Sequence, residues 1–127
     1  MKFFNELKEG DIVYYGDSSS CTITEVTVSR VATTDNSLYI NFKPDDDGKY
    51  YGWREINIEE PYTTVYNGYH CVLTTEYDEA VDYVNRDAEK EYKFTEKLQS
   101  EYRNRISEFR KANKDILVQI ENERLTF

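Results

Sequence analysis

The chain has 127 residues and a formal net charge of −9, with 25 Asp/Glu against 16 Lys/Arg. That length accommodates one domain and excludes a second independent core. No stretch approaches the roughly 20 apolar residues of a membrane-spanning helix, and Met1-Lys2-Phe3-Phe4 runs into Asn5-Glu6 rather than an apolar signal core. The expected location is therefore cytoplasmic, with no membrane partner. The charge is split along the chain. Met1 to Asn85 holds 6 Lys/Arg against 16 Asp/Glu, Arg86 to Lys114 holds 9 against 6, and Asp115 to Phe127 holds 1 against 3. Aromatic residues make up 15% of the chain and 12 of them are Tyr, enough to argue for a folded domain despite a mean hydropathy of −0.81. Cys21 and Cys71, without an export signal, read as free buried thiols rather than a disulfide.

In chain order, Phe3 to Gly10 reads as a lead-in turn and Asp11 to Tyr15 as the first strand, followed by a turn over Gly16 to Ser20. Apolar residues then fall at Cys21 and Ile23 but at Val26 and Val28, so the period-2 phase slips at Thr24-Glu25. A β-bulge there is the expectation. Leu38, Ile40 and Phe42 alternate with Tyr39, Asn41 and Lys43, the cleanest strand pattern in the chain. Pro44-Asp45-Asp46-Asp47-Gly48 closes a turn, and Tyr51, Trp53, Ile56 and Ile58 suggest another strand with a second slip, ended by Pro61. Asn67-Gly68 sits between Tyr62 to Tyr66 and Tyr69 to Leu73. Both residues tolerate the positive φ that a type I′ turn requires, so a hairpin centred on them is predicted.

Thr75 with Asp78 three residues later forms a near capping box, and Glu76, Asp78 and Glu79 put negative charge on a first helical turn. From Val81 the residues Val84, Ala88, Tyr92, Leu98, Tyr102, Ile106 and Phe109 keep a stripe at three- and four-residue steps. No Gly or Pro interrupts the sequence after Gly68, so one helix from Glu76 to about Ala112 is allowed, roughly 55 Å long. Such a helix needs cover. Either it breaks near Asn85-Arg86-Asp87 and folds back, or it pairs with a second copy as a homo-oligomer. Ile116 to Ile120 fits an added strand or a last helical turn. The expected fold is α+β: residues 1–73 as a small antiparallel β-sheet or SH3-like barrel, 74–114 as a long helix or helical hairpin, and 115–127 as a strand or helical turn.

Chemistry-bearing patterns are sparse. His70 and Cys71 are neighbours on an expected strand and so point to opposite faces, which rules them out as a dyad with each other. Two Cys and one His do not fill a structural zinc site. Asp45-Asp46-Asp47-Gly48 lacks the alternating ligands and closing Glu of an EF-hand loop, and reads as a solvated turn. The glycines form no phosphate-cradling motif. No metal and no cofactor is expected, and an enzyme ranks last. Tyr14, Tyr15, Tyr39, Tyr50, Tyr51, Tyr62, Tyr66 and Tyr69 all fall on expected strands or their edges, where cross-strand packing competes with an aromatic contact surface. Arg86, Lys90, Lys93, Lys97, Arg103, Arg105, Arg110 and Lys111 compete likewise between an anion-binding face and a solvated face laced with Glu. The net of +3 over Arg86 to Lys114 is weak for gripping duplex DNA.

Gly10-Asp11-Ile12-Val13-Tyr14, taken with Leu73-Thr74-Thr75-Glu76-Tyr77-Asp78-Glu79-Ala80-Val81, resembles small prophage and mobile-element proteins. In these a Gly-Asp-x-Val-Tyr strand opens an SH3-like region that runs into a "Leu-Thr-x-Glu-Glu-Ala" helix start. Tyr77 and Asp78 depart from that acidic pair, and the helix after Val84 lies outside the pattern. The resemblance implies a phage-type accessory protein acting in the host cell on a defence component, and it carries over no site residues. Three readings follow. The first is a non-enzymatic, anti-CRISPR-like inhibitor whose acidic, Tyr-rich surface, Asp45, Asp46, Asp47, Tyr50, Tyr51, Glu59 and Glu60, occupies the basic groove of a host nucleic-acid-binding protein. The second is an oligomeric sponge that sequesters a small anionic nucleotide, with Arg103, Arg105 and Arg110 on phosphates and Tyr92 or Tyr102 stacking on a base. The third is a virion or assembly component.

Overall fold

The computed structural model describes residues 2–35, 37–50, 53–59, 62–92 and 99–125. Within these residues six strands form one antiparallel sheet: β1 (Ile12–Asp17), β2 (Thr22–Thr33), β3 (Leu38–Phe42), β4 (Glu55–Ile58), β5 (Val65–Asn67) and β6 (Cys71–Thr74), in the order β4-β3-β2-β1-β6-β5. Among the described residues three helices follow: α1 (Tyr77–Tyr92), α2 (Gln99–Ala112) and α3 (Lys114–Leu125). The expected α+β class holds.

The sheet curls until its two edge strands approach. Trp53, just before β4, meets Tyr66 on β5 edge-on at 5.2 Å and Tyr15 on β1 at 5.7 Å. Gly68, just past β5, lies so close to the indole that a Cβ there would stand 2.5 Å from it. Inside this nearly closed barrel, Val13, Val26, Val28, Leu38, Ile40, Phe42, Ile56, Ile58 and Leu73 form the core. A 3₁₀ turn over Phe4–Glu6 contributes Phe4 and Leu7 to it and is anchored by the Phe4 amide donating to the Thr63 carbonyl at 2.9 Å.

A second core lies on the outer face of β1 and β6. There Val81, Val84 and Ala88 of α1 meet Ile106 and Phe109 of α2 and Cys21 just before β2, with Ile23, Tyr83, Ile116 and Leu117 at the margin. This arrangement accounts for the phase slip at Thr24-Glu25. The β1–β2 register runs without interruption from Asp17↔Thr22 to Ile12↔Thr27, so the expected bulge is absent there. Ile23 faces the helices while Val26 and Val28 face the barrel, and the switch in apolar parity records a change of core. The irregularity in β2 falls instead between Val28 and Arg30, against β3. Trp53 precedes β4, so the second slip lies outside the strand.

The β5–β6 hairpin forms, but with Tyr66 opposite Leu73 and Tyr69-His70 at its tip rather than Asn67-Gly68. His70 takes the positive φ, at 55°. The shift moves the turn centre by two residues, which leaves the side chains that remain on the strands, Tyr66 and Leu73 among them, on their expected faces, so alternation alone does not distinguish the registers. Gly68 serves close packing against Trp53 instead of turn geometry.

The helix starts one residue later than expected, and the Thr75 hydroxyl donates to the Lys2 carbonyl rather than capping it. The single long helix is replaced by a hairpin. α1 passes through Asn85-Arg86-Asp87 unbroken to Tyr92, so the break is not where it was expected. α2 runs antiparallel to α1: Arg110 meets Asn85 and Glu89, and Asn113 three residues on meets Tyr77. The apolar stripe is thus covered within the chain. Ile116 to Ile120 belongs to α3, neither an added strand nor a single turn. The α2–α3 junction is fixed by buried Asn113, whose amide accepts from the Tyr77 hydroxyl at 3.0 Å and donates to the Phe109 carbonyl at 2.9 Å.

Candidate functional site

The β3–β4 ribbon carries the acidic residues singled out from the sequence. The turn joining its strands is built by Asp45, whose Oδ1 accepts from the amides of Asp47 at 3.0 Å and Lys49 at 2.7 Å, while Gly48 takes φ +78°. Asp45 is therefore half-buried and structural, and Asp46 and Asp47 project into solvent. Along β4, Ile56 and Ile58 point into the barrel and Glu55, Asn57 and the following Glu59 point out. Glu55 accepts from the Asn41 side chain at 2.8 Å. Tyr50 is 37% exposed and lies under the Arg54 guanidinium, 5.4 Å from the ring centroid. The structure thus brings Asp46, Asp47, Tyr50 and Glu59 onto one ribbon. It also splits them, because the aspartates lie at its turn and Glu59 at the opposite end, with β4, roughly 13 Å long, between them. Tyr51 and Glu60 lie outside the described residues.

Sequence reasoning missed Glu55. The signal was its alternation with Ile56 and Ile58 in a strand whose start was placed too early, at Tyr51. Of the tyrosines, Tyr15 and Tyr66 pack in the barrel and Tyr14 meets Tyr77 edge-on at 5.4 Å, the ordinary packing role. Tyr62 and Tyr69 are 76% and 89% exposed.

Among the described residues, Arg103, Arg105 and Arg110 are not all gathered in one place. Arg103 and Arg110 line a groove of about 260 Å³ with Glu89, Ile106 and Ser107. Arg110 is held there by the Glu89 carboxylate and by Asn85. Arg105 points elsewhere, donating to the Ser19 carbonyl at 3.3 Å. The side chains of Tyr92 and Tyr102 lie outside the described residues. Among the described residues, no group of three or more His, Cys, Asp and Glu is placed to hold a metal.

One polar cluster was invisible in the sequence. Asp87 on α1 receives the hydroxyl of Ser18, from the β1–β2 turn, and lies 2.8 Å from Nδ1 of His70, from the β5–β6 turn. The Ser18 hydroxyl also lies 2.9 Å from the His70 carbonyl. Burial pushes the Asp87 carboxyl up, but the bonds from Ser18 and His70 outweigh it and hold the group below the usual range. In a nucleophilic triad the imidazole stands between hydroxyl and carboxylate. Here one carboxylate oxygen takes both partners, and Ser18 is fully buried. The cluster pins two turns to α1. His70 lies in the turn rather than on a strand, and the Cys71 thiol lies beside Tyr15, with burial pushing its pKa up.

In comparisons with known proteins, no family model matches this chain, and no curated protein or solved structure matches it.

Proposed function

We propose that this chain is a non-enzymatic accessory protein of phage type that binds a host defence factor, its acidic β surface taking the place of nucleic acid in a basic groove. The observation that carries the reading is the outward row on the β3–β4 ribbon, Asp46, Asp47, Glu55 and Glu59, all exposed. α1 packs on β1 and β6, with a smaller contact on β2, and α2 and α3 pack on α1, leaving this ribbon on a different part of the sheet. A chain of net charge −9 attracts a basic surface before contact and is slowed by salt in doing so. Tyr50 and Tyr62 add rings that bury area at low entropic cost.

The test is capture of partners from nuclease-treated bacterial extract on the tagged protein, followed by competition. The expected partner binds nucleic acid, is released by about 0.5 M salt, and is displaced by the nucleic acid it normally holds. Reversing Asp46, Asp47 and Glu59 together to Lys abolishes capture while the circular dichroism spectrum stays unchanged. A partner retained by the reversed variant, or one that still binds nucleic acid when occupied, overturns the reading.

A further inference from the structure

The acidic ribbon ends in β4, which among the described residues has a ladder partner on one side only, β3, its approach to β5 being made by the Trp53 side chain, and the hydrogen-bond register shows what the other side offers. The Phe42 amide donates to the Arg54 carbonyl at 3.0 Å, and the pairs after it are Asn41↔Glu55, Ile40↔Ile56, Tyr39↔Asn57 and Leu38↔Ile58. Bonded and non-bonded pairs alternate in an antiparallel ladder. Ile56 and Ile58 therefore spend their main-chain groups on β3, and the N–H and C=O of Glu55 and Asn57 point away from it. β4 is the terminal strand of the sheet. The residues that present these main-chain groups are the same ones that present exposed polar side chains.

Charge selects the occupant. A second copy of β4 paired here would set Glu55 and Glu59 against the same carboxylates, a repulsion that guards an edge against its own kind. A strand carrying Lys or Arg meets the opposite field. At the foot of β4 lies a cavity of about 370 Å³, lined among others by Asn5, Thr33, Asp35, Ser37, Glu59 and Tyr62. Its described lining holds two carboxylates, a largely exposed phenol ring and no Lys or Arg, a setting that suits the long stem and cationic head of an arginine.

We infer that β4 is the docking edge for an extended basic segment of the partner, which adds to the sheet as a further strand. It places cationic side chains opposite Glu55 and, four residues along, opposite Glu59, the second reaching into the cavity. This rests on the acidic-ribbon reading above and specifies how the ribbon binds.

The test uses a synthetic peptide of about nine residues with Arg at two positions four apart and Thr or Val between, added to the isotope-labelled full chain. A second peptide of the same sequence is N-methylated at the positions that face the edge. The expected result is slowed amide exchange at Glu55 and Asn57 with the first peptide, and at least roughly tenfold weaker binding of the methylated one. If both peptides bind alike and the double variant Glu55→Lys/Glu59→Lys weakens both, strand addition is overturned while the charge reading stands. If neither peptide binds, strand addition is again overturned, and the capture experiment decides the ribbon separately.

Discussion

Gly16 on β1 sits where the sheet meets α1, and a Cβ there would stand 2.9 Å from Val84 and 3.1 Å from Val72. Its value is the missing side chain, since both neighbours are fully buried and have nowhere to move. Gly16→Val is expected to destabilise by about 2 kcal/mol or more through overpacking, read as a drop in the urea midpoint. Asp87 provides a second residue-scale test. Its carboxyl is held below the ordinary 3.8, so the folded state binds its proton less readily than the unfolded chain does. The stability it contributes is fully present above about pH 3.8 and is lost as pH falls through the lower folded value. Asp87→Asn should therefore lower the urea midpoint at neutral pH and shrink the loss on acidification below about pH 4. Equal acid sensitivity in the two proteins would rule out the Ser18–Asp87–His70 pin as its source.

At the scale of elements, the α1–α2 hairpin separates apolar from polar contributions. Phe109 is 9% exposed against Val81 and Val84, whereas Arg110 and its partner Glu89 are 40% and 55% exposed. Phe109→Ala is expected to cost about 3 kcal/mol and Arg110→Ala under about 1 kcal/mol, measured by denaturant unfolding of both variants. The reverse order would mean that polar contacts rather than the apolar seam hold α2 in place. The seam was legible in the sequence as Val81, Val84, Ala88, Ile106 and Phe109, because each helix keeps its own 3.6-residue period. That two helices rather than one carry it was not legible, since no Gly or Pro follows Gly68. The hairpin register was hidden for a related reason: a shift by a whole pleat repeat keeps Tyr66 and Leu73 on the barrel side in either pairing.

For the whole molecule, the decisive feature is one sheet serving two cores. Tyr15 and Leu73 point into the barrel, while Gly16 and Val72, one residue away on the same strands, face α1. Losing either core removes a wall of the other, so the protein should unfold in one step. Trp53, the sole tryptophan, reports on the barrel closure, and far-ultraviolet circular dichroism reports on the helices. The two transitions are expected to coincide in urea; separated midpoints would show that the helical hairpin unfolds independently of the barrel.

Local patterning determined the strand at Leu38–Phe42, the turn at Asp45–Gly48, the helix start near Tyr77 and the acidic character of the β half. These depend on neighbours within a few residues, where alternation, turn chemistry and charge act directly. The tertiary structure decided the remainder. It set which face of β2 meets which core, which carboxylates share the β3–β4 ribbon, and which turns meet at Asp87. Ser18 and Asp87 are 69 residues apart in sequence, and Glu55 gains its meaning from lying on a terminal strand. Contacts made across such separations depend on how elements pack, and no local period encodes them.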